Sequence, residues 1–368
     1  MQSIRPLAVY LPQFHPIPEN DQWWGKGFTE WTNVTKAKPL FKKHWQPRLP
    51  ADLGFYDLRV AEVREAQAML AKEYGIYGFC YWHYWFAGKR IIERPFTEVV
   101  KSGKPDFPFC VAWANQTWAG TWHGLSNNQT LIEQTYPGVE DYTAHFYSLL
   151  EAFADKRYIE VNGKKLVFIF SPMEIPDSRK FIETWQELAI KENLGGIHFV
   201  GMHMGKEWVP ELMGYDAMLH GFLEIMKYKN YTFKEKIQRY FHGTNTLKLI
   251  DKKRPDLISY PKYVERYPDH QLKANEYPWI YSDWDNTPRT GTNGWLFEGS
   301  TPELFGELCT KAFEATANKV KDEKIVILRS WNEWAEGNYL EPDHKFGTAY
   351  LEAFRTSLIN YDNEVSII

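Results

Sequence analysis

Three cysteines in 368 residues, Cys80, Cys110 and Cys309, are too few and too irregularly spaced for a disulfide framework or a cysteine-rich metal site. No stretch approaches the roughly 18 uninterrupted apolar residues of a membrane helix, and no basic leader with a small-residue cleavage site precedes Leu7. The expectation is therefore a cytoplasmic chain without membrane insertion. A charge excess is missing too: 43 Lys and Arg against 47 Asp and Glu leave a net −4, which gives no electrostatic footprint for nucleic acid. Several catalytic signatures are absent. There is no Gly-x-Ser-x-Gly elbow, no protease-like cysteine context, and no glycine-rich phosphate loop ending in Lys-Ser or Lys-Thr. His15, His83, His123 and His203 lack the close spacing of a zinc helix, and no acidic calcium loop occurs, so neither a metal nor a cofactor is expected.

What the sequence has in abundance is aromatic side chains, 17% of all residues, with 16 tryptophans and 22 tyrosines crowded into short motifs. A pyranose ring presents a C–H-rich face that stacks on indole or phenol, while Trp N–H and Tyr O–H supply polar contacts. Burial in a core accounts equally well for any single ring. Hydrophobic residues at 44% and charged residues at 24% are ordinary for a folded globular chain.

Eight β-type runs recur: Leu7 to Leu11, Gly78 to Tyr84, Phe109 to Trp113, Leu166 to Phe170, His198 to Met202, Ala217 to Phe222, Trp279 to Ser282 and Ile325 to Leu328. Between them lie amphipathic stretches such as Leu58 to Tyr74, Val139 to Phe153, Ser178 to Glu192 and Pro302 to Val320. This alternation predicts an α/β fold, a (β/α)8 TIM barrel over residues 1–368, with long insertions after strands 1 and 6. The first insertion, 17–57, holds Trp23-Trp24-Gly25-Lys26-Gly27-Phe28-Thr29-Glu30-Trp31 and reads as a rim element lining a pocket. The second, 223–277, is rich in Lys and Tyr and contains a helix-like Tyr231 to Phe241; it reads as a lid or flap, or as a solvated excursion.

In a barrel of this kind the chemistry sits at the C-terminal ends of the strands. The last run feeds into Trp331-Asn332-Glu333-Trp334-Ala335-Glu336-Gly337, placing two carboxylates three residues apart among indoles. In an extended strand they would point to opposite faces, so the strand must end near Trp331 and a tight turn must bring both to one side. One carboxyl with a raised pKa as proton donor and a second, better solvated carboxylate is the pairing that acetal cleavage requires. A competing reading has one glutamate paired with an arginine such as Arg329. Asp283-Trp284-Asp285 also matches the Asp-x-Asp pattern of nucleotide-sugar transferases by letter.

The chain resembles the glycoside hydrolase family 99-like proteins, in particular the WbsX-type branch, whose members are often labelled glycosyltransferases in polysaccharide gene clusters. The resemblance rests on Tyr10-Leu11-Pro12-Gln13-Phe14-His15, on the Trp23 to Trp31 motif, on Gly78 to Phe86, on Trp113-Ala114-Asn115, and on Trp331 to Gly337 followed by Glu341-Pro342. It implies a barrel that acts on α-linked glycans with retention and without metal. By the same resemblance Glu333 deprotonates the sugar's own 2-hydroxyl, which displaces the leaving group through a 1,2-anhydro sugar, and Glu336 protonates the leaving oxygen and later activates water. Where the mannosidases of that family carry a His between the glutamates this chain has Ala335, so mannose preference is not carried over. Tyr10, Gln13, Trp31, His83, Trp113, Asn115, Trp118, His203 and Asp283 stand at strand ends and are the expected sugar contacts. The leading function is hydrolysis of an α-linked bacterial-type polysaccharide or glycan. The alternatives are a glycosyltransferase of cell-surface polysaccharide (lipopolysaccharide O-antigen) biosynthesis, with Asp283 and Asp285 holding a metal–nucleotide donor, and a non-catalytic carbohydrate-binding barrel.

Overall fold

Short apolar runs separated by amphipathic helices bury both faces of every strand when the strands pair in parallel beneath a coat of helices. The computed structural model describes residues 3–120, 130–202, 208–220, 228–229, 254–268 and 270–367. In it the eight runs are β1 (Arg5–Tyr10), β2 (Gly78–His83), β3 (Phe109–Trp113), β4 (Lys164–Ile169), β5 (Ile197–Gly201), β6 (Ala217–His220), β7 (Glu276–Tyr281) and β8 (Ile325–Arg329). Each pairs in parallel with the next, and β8 returns to β1 in the register Arg5↔Ile325 to Ala8↔Leu328, closing the barrel. The architecture is a (β/α)8 TIM barrel, as the alternation predicted.

The helices follow the amphipathic stretches. Ser178–Lys191 starts where the Asp177 carboxylate accepts the Lys180 N–H at 3.0 Å, a cap of about 1 kcal/mol, and it buries Phe181, Ile182, Trp185 and Ala189 at helical spacing. Ala61–Glu73, Val139–Ser148, Pro302–Glu314 and Ala349–Ile367 belong to the same coat. At Gly78 a Cβ would lie 2.6 Å from the Pro108 carbonyl oxygen, so this entry into β2 accepts no side chain.

Strand limits differ from the sequence reading mainly at β7, which begins at Glu276 and not at Trp279. Pro278 has no N–H for a ladder and reads as a break, yet it sits opposite His220 within the parallel register. The 17–57 insertion contains helices Pro18–Trp24 and Glu30–Lys36. Of the 223–277 insertion, the described part forms strand Asp256–Ser259 and helix Tyr260–Arg266. That strand pairs in parallel with Trp295–Glu298 from the segment after β7. Tyr260 and Tyr263 pack on Phe297. The helix expected at Tyr231 to Phe241 lies outside the described residues.

Candidate active site

Beyond β8 the backbone turns tightly. Asn332–Glu333 pairs antiparallel with Asn338–Tyr339 around a 3-10 turn, Trp334–Glu336. Ser330 fastens the base of this hairpin: its hydroxyl accepts the Glu333 N–H at 2.9 Å and donates to the Asn338 carbonyl at 2.7 Å. Asn332 extends the β8–β1 pairing through its side chain, accepting from the Leu11 N–H at 2.8 Å and donating to the Leu11 carbonyl at 3.1 Å. The hairpin closes at Gly337, whose φ is +56° and whose missing Cβ leaves room for Arg48 and Asp285, each 2.9 Å from where it would be. The turn carries Glu333 and Glu336 into one cleft.

The two indoles of the motif stay behind it. Trp331 is fully buried, and Trp334 stacks on Tyr339 at 3.7 Å while its N–H donates to Glu341 at 2.6 Å. Glu341 also accepts from Tyr56 at 2.8 Å and from Gln67 at 2.6 Å. Burial pushes its carboxyl up to about 7 against the pull of those donors.

The cleft, a cavity of about 110 Å³, opens to solvent at the C-terminal end of the barrel. Phe28, Trp82, Tyr84, Trp118 and Phe170 supply an aromatic wall; Glu30, Glu333 and Glu336 bring three carboxylates, and Arg289 and Arg329 bring two cations. One guanidinium holds all three acids. Arg289 Nη2 lies 2.6 Å from Glu333 Oε1 and 3.2 Å from Glu30 Oε2, and its Nη1 lies 2.7 Å from Glu336 Oε1. Two nitrogens of a rigid planar fork therefore fix the separation of Glu333 and Glu336. Arg329 stands over the rings of Trp82, Trp284 and Trp279 at 5.3, 5.5 and 5.6 Å, with its Nη2 3.6 Å from Glu336 Oε2.

Burial pushes the Glu333 carboxyl up to about 7; Arg289 pulls against this, and the charges of Glu336 and Glu30 add to it. The group with the raised pKa, Glu333, is the glutamate that the family resemblance assigns as base, whereas a raised pKa by itself suggests a proton donor. A pKa near neutrality suits a group that either takes a proton from a sugar hydroxyl or gives one to a leaving oxygen.

Of the sequence-predicted contacts, Gln13 and Trp118 line the cleft together with the two glutamates. Gln13 donates to the Tyr84 hydroxyl at 2.5 Å. The rest of the described ones are not among its lining side chains. The Tyr10 hydroxyl donates to Gln67 at 2.6 Å, and the Trp31 indole N–H donates to the Tyr56 carbonyl at 2.8 Å. Trp113 is buried in the core, and Asn115 ties Ser171 through its amide, donating to the carbonyl and accepting the N–H, both at 2.8 Å. His83 Nε2 meets His145 Nε2 at 2.8 Å, and burial holds both imidazoles well below their usual pKa. His203 lies outside the described residues.

Asp283, partly exposed, and Asp285, fully buried, form a separate cluster. Asp283 pairs with Arg48 at 2.8 Å; burial pushes its carboxyl up to about 6 against that cation. Asp285 meets His44 at 2.8 Å, accepts from Gln46 at 2.7 Å and from the Thr287 hydroxyl at 2.6 Å. Burial works against its charge, but the His44 hydrogen bond and Arg48 keep its carboxyl below the usual range. Both carboxylates are already committed to protein cations and donors.

The sequence reading missed Glu30 and Arg289. Glu30 sat in view inside the Trp23 to Trp31 motif without being singled out. Arg289 gives only a weak signal, a lone cation four residues past Asp285 in the turn Thr287–Thr290.

The sequence model of the family described as "Glycosyltransferase WbsX" matches residues 6–354. The chain belongs to this WbsX family. A relative described as "Uncharacterized protein WxcX", from two strains of Xanthomonas campestris pv. campestris, is 35% identical over 355 residues. The match takes in 96% of this chain and 49% of the relative, so the chain spans about half the length of these curated proteins. Among solved structures, a GH99 endo-alpha-mannosidase from Bacteroides thetaiotaomicron superposes with a TM-score of 0.58 at 13% identity, covering 98% of both chains. A "Glycoside hydrolase-like protein" superposes with a TM-score of 0.57 at 15% identity, covering 97% of this chain and 94% of its own. These structures share the barrel. Among the described residues no helix is long and apolar enough to cross a membrane.

Proposed function

We propose that this WbsX-family barrel is a retaining glycoside hydrolase that cleaves α-linked polysaccharide or glycan, with Glu333 and Glu336 as its proton-transfer pair. The observation that carries the reading is their joint position in an aromatic-walled cleft, 2.6 and 2.7 Å from one guanidinium. In the reaction Glu333, ionised, removes the proton of the 2-hydroxyl; that oxygen attacks the anomeric carbon, and Glu336 delivers its proton to the leaving oxygen. Glu336 then deprotonates a water that opens the 1,2-anhydro sugar, and Glu333 returns its proton to the 2-oxygen. Arg289 holds both carboxylates in place before the sugar arrives, so little reorganisation remains for the chemical step. The wall formed by Trp82, Tyr84 and Trp118 suits the C–H face of a pyranose.

The description of the WbsX family favours a second reading, transfer from a nucleotide sugar. Against it stand Asp283 and Asp285, whose oxygens meet Arg48, His44, Gln46 and Thr287 instead of opening toward a metal–nucleotide. The test is Glu336→Gln against α-linked bacterial polysaccharides. Turnover should disappear while calorimetric glycan binding persists, because the amide keeps the shape but has no proton to give. Unchanged turnover rejects the assignment, and binding of a nucleotide sugar with Mn²⁺ in place of glycan cleavage supports transfer.

A further inference from the structure

On the flank of the barrel, three side chains of metal-binding types converge where neither the cleft nor the aspartate cluster uses them. Residues two apart in a strand share a face, so His220 projects on the same side as Met218, and Met218 is the register partner of Glu276. This brings the end of β6 and the start of β7 to one spot. His270, in the loop between helix Tyr260–Arg266 and β7, folds over it: its Nε2 lies 2.8 Å from Glu276 Oε2, and its ring stands at 87° to that of His220 with centroids 4.5 Å apart. One ligand atom from each of the three lies within 4.8 Å of the others. None of the three lines the cleft.

We propose that His220, His270 and Glu276 form a divalent-metal site of the two-imidazole, one-carboxylate type, suited to Zn²⁺. Three protein ligands leave a fourth tetrahedral position for water, and nitrogen with carboxylate oxygen is a donor set that zinc accepts. The 2.8 Å between His270 Nε2 and Glu276 Oε2 is a hydrogen bond that a metal would replace, opening it to the roughly 3.3 Å between neighbouring ligands on a tetrahedron of 2.0–2.1 Å bonds while the half-exposed His270 draws all three ligand atoms together from within 4.8 Å. Exposure grades from 4% at Glu276 through 9% at His220 to 45% at the His270 side chain, which gives a fixed carboxylate on the barrel and an adaptable imidazole on the solvent side. An ion pair between His270 and Glu276 needs only those two; the His220 ring, packed on Tyr267 at 5.9 Å and on His270 at 4.5 Å, brings a second imidazole to the same spot. His220 precedes the 223–277 insertion and Glu276 stands at its close, so a metal here clips the two ends of a long loop onto the barrel wall, where such a clip restricts the unfolded chain most.

Chelator-stripped protein titrated with Zn²⁺ should bind one equivalent per chain, with a rise in Tm, and Co²⁺ should give the visible bands of a tetrahedral site. His270→Ala, a change at a half-exposed position, should weaken binding about a hundredfold or more, since even outer partners of metal ligands cost 10–100-fold; Glu276→Gln should do the same. His344→Ala, an exposed histidine outside the cluster, should leave binding unchanged. Absence of stoichiometric binding, or equal affinity in parent, His270→Ala and Glu276→Gln, overturns the proposal. No glycan is used, so the result is independent of the proposed hydrolysis.

Discussion

Two acidic pairs lie at the ends of adjacent strands, Asp283 with Asp285 after β7 and Glu333 with Glu336 after β8; all are buried but Asp283, which is partly exposed. They differ in what their oxygens meet. Each aspartate is saturated by its own donors, Asp283 by Arg48 and Asp285 by His44, Gln46 and Thr287. The glutamates instead share one cation with Glu30 and line a cleft; the Glu333 carboxyl is raised to about 7, as that of Asp283 is to about 6. The lesson is that proximity of two acids does not separate a structural pair from the pair proposed as reactive. Access and an incomplete charge balance do.

Mutations sharpen this contrast. Glu333→Gln should lower kcat/KM for the cleaved glycan by about 10²- to 10⁴-fold, the usual worth of a general base, with a change in unfolding free energy below about 1 kcal/mol because Arg289 keeps Glu30 and Glu336. Asp285→Ala should do the reverse: urea unfolding should show a loss of about 3–5 kcal/mol, since it strips the shared acceptor from a buried ionic network. If both variants lose stability alike, the contrast is broken. Asn332→Ala removes the side chain that pairs with Leu11 N–H and C=O, leaving two buried backbone groups unmatched; a loss of about 2–4 kcal/mol should appear in the same assay.

The pH dependence gives the finest comparison. Glu333 must be ionised to act as base, so kcat/KM should climb with pH through a limb near 7. Removing the cation in Arg289→Met disfavours the charged carboxylate, so the limb should move to higher pH; a shift to lower pH contradicts the clamp. For stability the sign is opposite to that of an ordinary paired carboxylate. Glu341, raised from about 4.5 to about 7, keeps its proton in the folded state while the unfolded chain has lost it. Its contribution is therefore complete below about pH 4.5 and lost as pH rises through 7, and Glu341→Gln should flatten unfolding free energy against pH across that window.

The barrel was legible in the sequence because each strand is a short, nearly unbroken apolar run, six of the eight followed by a polar-aromatic motif. Only Pro278 hid the true start of β7. The glutamate turn was legible as well, since the strand geometry forbids Glu333 and Glu336 from sharing a face without it. Arg289 was not: its partners Glu333 and Glu30 lie 44 and 259 residues away, and no local period announces a contact of that range. Nor does alternation along a strand say at which depth of the barrel a ring will rest. Trp113 is therefore core and Trp118 a cleft wall, though both follow from the same run.

The most direct measurement is the anomeric configuration of the first product, read by ¹H NMR as an α-linked polysaccharide is cleaved. Participation of the 2-hydroxyl between Glu333 and Glu336 inverts the centre twice, so the nascent reducing end should be α in the parent, and no product should form with Glu333→Gln or Glu336→Gln. A β product, or an α product formed at parental rate by either variant, contradicts the account.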